Sequence, residues 1–419
     1  ELDVFVKKIN MGYLPVDSLA KNKTDPFYFV AGNTPGIGGV SESSLPYMKN
    51  SIVILLAGIL LFSCNSKPES FTLNGKLRGE LTDGTRVFLK TIGENNQPMD
   101  IDTATTTNGE FTFTGKADIP ELHYIFVEQL PGYTAVILEN GEIDFSAQRD
   151  SMGFAEISGT FQNDAFADYM KQSREISLQA QSIQQDMKSA SGEAAIALQD
   201  EMKELQEEYK TFELDYVKSH PKALISALVL DRAIATKAVG LEEVEEIYKT
   251  LSEEIKNSKT GKQIQEGIEK LKASEEAGKN SSIGAKAPEF SGPSLDGSVL
   301  ALKDVMGKVT LIDFWAGWCR PCRAENPNIV AVYNKYHDKG LNILGVSLDR
   351  TEEAWKKAIA EDGLEWNHIS NIAYFDDKIA KLYNVDAIPA AFLLDENGVI
   401  VAKNLRGPAL EAKVAELLN

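Results

Sequence analysis

The chain has three thiols, Cys64, Cys319 and Cys322, and two of them stand at Cys-x-x-Cys spacing in Trp318-Cys319-Arg320-Pro321-Cys322. That spacing lets two sulfurs meet across one turn of chain, and it suits thiol–disulfide exchange or metal binding. The surroundings favour exchange. Lys308 to Trp315 reads as a strand and Cys322 to Tyr336 as a helix, so the motif falls at a strand–helix junction. A thiol at a helix N-terminus faces unpaired N–H groups and the positive end of the dipole, and both favour the nucleophilic thiolate. Cys319 is expected to be the exposed attacking sulfur. Cys322, one turn inside, is expected to resolve the mixed disulfide. Structural zinc needs four ligands, yet there is no second Cys pair, and His123, His220, His337 and His368 are scattered. No metal and no cofactor is therefore expected.

Two acids stand near the pair. Asp313 is a lone carboxylate in an apolar strand, where burial would raise its pKa and make it a proton carrier. Glu325 lies three residues after Cys322, on the same helix face.

From Ile283 onward, strands and helices alternate. Leu341–Leu348 and Ala391–Asp395 read as strands, and Thr351–Glu361 and Asp376–Tyr383 as helices. That order implies an α/β sheet with helices on its faces. Residues 71–159 read differently. Short β-branched and aromatic stretches such as Arg86-Val87-Phe88-Leu89 are punctuated by Asp83-Gly84, Asn108-Gly109 and Asn140-Gly141, which predicts a small antiparallel sheet or sandwich. Residues 160–276 read as helical: Leu198, Met202, Leu205, Tyr209, Phe212 and Tyr216 share one helix face, in the manner of core packing. Residues 277–282 close a charged stretch that reads as a linker.

Residues 283–419 resemble the thioredoxin superfamily, specifically the TlpA/ResA-like exported thiol–disulfide oxidoreductases. Ala287-Pro288-Glu289-Phe290 with Leu295-Asp296-Gly297 is similar to that family's opening hairpin, and Asp313 through Arg323 matches its active-site run. Pro327 falls where the family kinks its first helix, and Ile388-Pro389 where its cis proline faces the cysteines. Ala390 departs from the Thr common after that proline. The resemblance implies a thioredoxin-like α/β domain. It gives Cys319, Cys322, Asp313, Glu325 and Pro389 to the chemistry, and Trp318, Arg320, Pro321 and Ile388 to client contact. Asp313 would move the Cys322 proton, whereas Trp315 is expected to pack. The β-rich stretch is similar to a domain of unknown function that precedes such domains in Gram-negative lipoproteins. The implied activity is reduction of disulfides in exported client proteins. Oxidation or isomerisation by the same pair stays open, as does a client-binding role for the preceding domains.

The 419 residues carry a formal net charge of -19. That length suggests more than one domain, and the acidity argues against nucleic acid as a partner. Met48-Lys49-Asn50 followed by the apolar run Ser51–Phe62 reads as an export signal over 48–63. Leu61-Phe62-Ser63-Cys64 resembles a bacterial lipobox, which implies lipidation at Cys64 and residues 64–70 as a tether. Residues 1–47 then read as an upstream extension rather than a domain. The expected setting is a lipid-anchored protein facing the periplasm of a Gram-negative bacterium, with a membrane thiol donor as its electron source.

Overall fold

The computed structural model describes residues 68–93 and 97–418, in two compact units divided between Gln265 and Glu266. The upstream extension, the signal, Cys64 and most of the tether lie outside the described residues.

The first unit begins with eight strands: β1 (Phe71–Arg78), β2 (Arg86–Ile92), β3 (Pro98–Thr105), β4 (Glu110–Gly115), β5 (Glu121–Val127), β6 (Thr134–Leu138), β7 (Gly141–Gln148) and β8 (Glu156–Ser158). They form two four-stranded sheets, ordered β4-β1-β7-β8 and β3-β2-β5-β6. Alternation explains the arrangement. In β1, Phe71, Leu73, Gly75 and Leu77 face inward and the alternate residues face out. These side chains meet Phe113, Ile143 and Phe145 from their own sheet and Val87, Leu89, Ile125 and Val136 from the other. Gly75 completes the inward row because a Cβ there would stand 2.0 Å from the Phe111 ring. The Asx-Gly signals mark real turns: Asn108 and Gly109 both take positive φ, 51° and 75°, between β3 and β4. The expectation of an antiparallel sheet needs one correction, since β1 and β7 pair in parallel from Phe71↔Gly141 to Arg78↔Gln148. Strands of the other sheet intervene, so the chain re-enters beside β1 running the same way.

Six helices follow among the described residues: α1 (Phe161–Met187), α2 (Glu193–Ser219), α3 (Leu224–Ala235), α4 (Leu241–Thr250), α5 (Glu253–Lys256) and α6 (Lys259–Asn280). Asn163 ties α1 to β6 through both its amide groups, accepting from Ile137 N at 3.0 Å and donating to Ile137 O at 2.7 Å. The stripe on α2 packs as expected: Met202, Leu205 and Tyr209 join Ile176, Ala180 and Ile183 of α1 in one cluster, with Leu198 and Phe212 against it.

The linker over 277–282 is not seen. Helix α6 continues to Asn280, and its charged composition is that of a solvated helix face. Ala277 is buried, and Ser281 Oγ donates to Ala277 O at 2.8 Å and to Tyr383 O at 3.1 Å, so this tract is packed structure.

The second unit is thioredoxin-like. A hairpin of β9 (Ser291–Pro293) and β10 (Val299–Ala301) precedes a five-stranded sheet of β11 (Val309–Trp315), β12 (Leu341–Ser347), β13 (Asn367–Ile369), β14 (Ala390–Asp395) and β15 (Ile400–Lys403). The order is β13-β12-β11-β14-β15, parallel on the β12 side of β11 and antiparallel on the β14 side. Strand β11 is central and buried along its whole length, which is why it reads as an unbroken apolar run apart from Thr310 and Asp313. Helices α7 (Arg320–Tyr336), α8 (Glu352–Asp362), α9 (Lys378–Leu382) and α10 (Pro408–Leu418) complete the unit. No helix among the described residues is long and apolar enough to cross a membrane.

Candidate active site

Strand β11 ends at Trp315, and four residues later Cys319 is the N-cap of α7, with φ -80° and ψ 94°. Cys319 and Cys322 are joined as a disulfide with their Cα atoms 5.3 Å apart. The Cys322 backbone N–H donates to Sγ of Cys319 at 3.2 Å, the capping contact that makes this sulfur the one addressed by the helix end. Pro321 sits in the first turn, where a missing N–H costs nothing. Pro327 lies inside the same helix.

Cys319 is not exposed as expected: 3% of it is accessible, against 2% for Cys322. The bonded sulfur is folded back toward the first turn of α7, and the exposed members of the motif are its neighbours Trp318, Arg320 and Pro321.

A narrow cleft beside Cys322 is lined by Asp313, Glu325, Asn326, Ile329, Pro389 and Arg406. It unites residues from β11, α7, the loop before β14 and the loop after β15. The Ile388–Pro389 peptide bond is cis. Burial pushes the Asp313 carboxyl up to about 7; Arg406 opposes the shift and Glu325 adds to it. Such a group exchanges its proton near neutral pH, at the wall of the cleft that also holds Cys322. Glu325 is committed to structure as well: its Oε1 accepts from Gly407 N at 2.8 Å and from Asn328 Nδ2 at 2.9 Å. Trp315 is buried and packs, as expected.

Several functional contacts escape sequence reading. Asp349, fully buried after β12, receives the Gly317 N–H on both carboxylate oxygens, at 3.1 and 3.0 Å. Gly317 is needed there because a Cβ would stand 2.9 Å from Ala358 Cβ on α8. Arg323 donates to Gly317 O at 3.2 Å and binds the Asp362 carboxylate, which also accepts from the buried Asn326 at 2.6 Å. The loop that presents Cys319 is thus fastened on both sides. Arg406 likewise has no local signal. Among the described residues, no group of His, Cys, Asp or Glu is placed to hold a metal.

A cis proline beside a Cys-x-x-Cys helix start, on a central strand flanked by parallel and antiparallel neighbours, defines a thioredoxin-like oxidoreductase domain. Comparison with known proteins narrows the class. Residues 283–403 match the AhpC/TSA family, and residues 71–166 match a domain of unknown function, DUF4369. The thiol-disulfide oxidoreductase ResA of Bacillus cereus is 36% identical over 121 residues, 29% of this chain and 68% of that protein. The thioredoxin-like protein YneN of Bacillus subtilis is 36% identical over 118 residues, 28% of this chain and 68% of that protein. Among solved structures, the thioredoxin domain of a thiol-disulfide oxidoreductase from Bacteroides vulgatus is 40% identical, covering 33% of this chain and 99% of that one with a TM-score of 0.32. The chain belongs to the ResA-like thiol-disulfide oxidoreductases, and it is a protein-disulfide oxidoreductase with a DUF4369 domain ahead of its redox domain.

Proposed function

We propose that this oxidoreductase works as a reductase of disulfides in exported client proteins, tethered to a membrane by a lipid on Cys64 and facing the periplasm of a Gram-negative bacterium. The observation that carries the reductive direction is the burial of both cysteines, with Cys322 lining one cleft with an acid that resists ionisation. A pair becomes oxidising when its reduced form is strongly stabilised as thiolate. Here burial and the neighbouring carboxyl work against the thiolate, and the helix N-terminus with one N–H on Cys319 Sγ works for it. The balance favours a pair that gives electrons away.

In the reduced enzyme, the Cys319 thiolate attacks one sulfur of a client disulfide, forming a mixed disulfide and releasing one client thiolate. Asp313 takes the Cys322 proton, and the Cys322 thiolate attacks Cys319 Sγ and frees the second client thiolate. Two electrons have passed to the client, and the pair is left as the disulfide of this structure. With Cys64 lipidated, no further thiol in the chain can reduce it, so turnover needs an outside membrane thiol donor. Trapping free thiols in intact cells tests the reading. The pair should be mainly reduced, and should become oxidised when the donor is removed. A pair found mainly oxidised with the donor present would overturn the direction in favour of an oxidase. For the anchor, Cys64→Ala should release the protein from the membrane fraction, and continued sedimentation with membranes would refute lipidation.

A further inference from the structure

Between β13 and α9, the chain adopts a backbone that its residues disfavour. Ile372 and Tyr374 have φ of 55° and 54°, a left-handed conformation uncommon for any side chain and an outlier for a β-branched one. It is held from both ends. Ser370 Oγ accepts from Ile372 N at 3.1 Å and donates to Ser347 O at 2.8 Å. The fully buried Asp377 accepts from Asn371 at 2.8 Å and caps α9 through Ile379 N at 2.7 Å. Such strain persists only where its surroundings enforce it.

The segment brings aromatic rings to the redox motif. Trp318, the residue before Cys319, is 47% exposed, and its ring centre lies 5.2 Å from Tyr374 and 6.2 Å from Phe375. Its indole Nε1 donates to Leu348 O at 3.3 Å, which fixes the ring against the end of β12. Two residues on, the Arg350 guanidinium lies 3.9 Å over the Tyr374 ring. Arg320 and Arg350 are both exposed, and neither has an ion pair among the described residues. Several charged groups of this unit are engaged elsewhere: Arg323 binds Glu361 and Asp362, Asp376 pairs with Lys381, and Asp349 holds Gly317. In a chain of net charge -19, the mouth of the redox site thus carries two guanidinium groups without an ion pair, that of Arg350 stacked on Tyr374, beside an aromatic surface.

We propose that Trp318, Tyr374, Phe375 and Arg350 form the ledge on which a client polypeptide lies next to its disulfide, fitted to an apolar side chain beside an acidic one. The inference rests on the exchange reading above and deepens it. Continuity identifies the occupant: any disulfide that reaches Cys319 brings its flanking chain across the adjoining Trp318. Apolar rings and unpaired guanidinium groups then select for an apolar residue and a carboxylate.

The test uses the full chain, with hydroxyethyl disulfide and two cyclic disulfide peptides whose cysteine is flanked by Phe-Glu or by Phe-Lys. The wild type should prefer the Phe-Glu peptide by about tenfold in kcat/KM, and Arg350→Glu should reverse that preference. Phe375→Ala and Tyr374→Ala should each lower kcat/KM for the Phe-Glu peptide by about tenfold relative to hydroxyethyl disulfide, mainly through KM. Equal turnover of both peptides by wild type and Arg350→Glu, or an unchanged peptide-to-small-disulfide ratio in the aromatic variants, would overturn the ledge while leaving the exchange reading intact. A wild type that reduces neither the peptides nor hydroxyethyl disulfide would overturn both.

Discussion

The sandwich of the first unit and the sheet of the second bury similar apolar residues but treat charge differently. No carboxylate is among the buried residues described in the first unit, whereas the second buries Asp313, Asp349 and Asp377. Two of these are satisfied. Asp349 holds Gly317 N and Ser347 Oγ, and Asp377 holds Ile379 N, Ala380 N and Asn371. Asp313 receives no hydrogen bond from the described residues, and desolvation dominates its behaviour. A buried acid with donors is a piece of architecture; one without donors is held in readiness to take a proton.

The largest expected effect separates stability from chemistry. Phe113 is 1% exposed in the sandwich core, so Phe113→Ala should cost about 3–5 kcal/mol of stability by denaturant unfolding. Disulfide exchange measured where the protein remains folded should not change. A loss of exchange there would show that the first unit takes part in the chemistry.

The two kinds of acid should then respond to substitution with opposite signs. Burial raises Asp313 to about 7, against about 3.9 in an unfolded chain. Between those values the folded protein holds a proton that the unfolded chain has released, so the site is fully stable below about pH 4 and is progressively penalised as pH rises through 7. Asp313→Asn should therefore leave stability unchanged near pH 4 and increase it at pH 8, by on the order of 4 kcal/mol. The same variant should slow resolution of a mixed disulfide more than its formation. Asp377→Ala should destabilise by about 2–3 kcal/mol at neutral pH, through a lost cap and unmet donors. Urea titration of both variants across pH checks the pair, and destabilisation by Asp313→Asn at pH 8 would place Asp313 with the architectural acids.

What the sequence revealed was local. The apolar run of β11, the Cys-x-x-Cys at its end and the α2 stripe are patterns within a few turns of chain, and each took the expected shape. The parallel pairing of β1 with β7 joins segments 70 residues apart through backbone groups that every residue has (Phe71↔Gly141). Asp349 reaches Gly317 across 32 positions, and nothing in Leu348-Asp349-Arg350 distinguishes it from an ordinary loop acid. The stretch before Ser282 misled because solvated helices and linkers share a composition, and the contact of Ser281 with Tyr383 that decides between them spans 102 positions. Cys319 was expected to be exposed because helix-end chemistry was read from the motif, whereas accessibility depends on the residues packed around it.

The smallest effect bears on Glu325, which sequence reasoning placed among the chemical groups. Its Oε1 holds the Gly407 N–H and the Asn328 amide, and so fixes the turn that carries Arg406 into the cleft. Gly407 has φ 53°, a conformation that needs such a tie less than a bulkier residue would but still loses its N–H partner without it. Glu325→Gln keeps an oxygen acceptor at that point and removes only the charge. Stability should change by less than about 1 kcal/mol. The charge of Glu325 contributes to raising Asp313, so its loss should move the pH profile of mixed-disulfide resolution to slightly lower pH without lowering the plateau. A residue that itself carried the proton would behave otherwise, because an amide cannot replace it, and the plateau would drop by about 10²-fold. Single-turnover resolution rates across pH therefore decide whether Glu325 positions the cleft or acts in it.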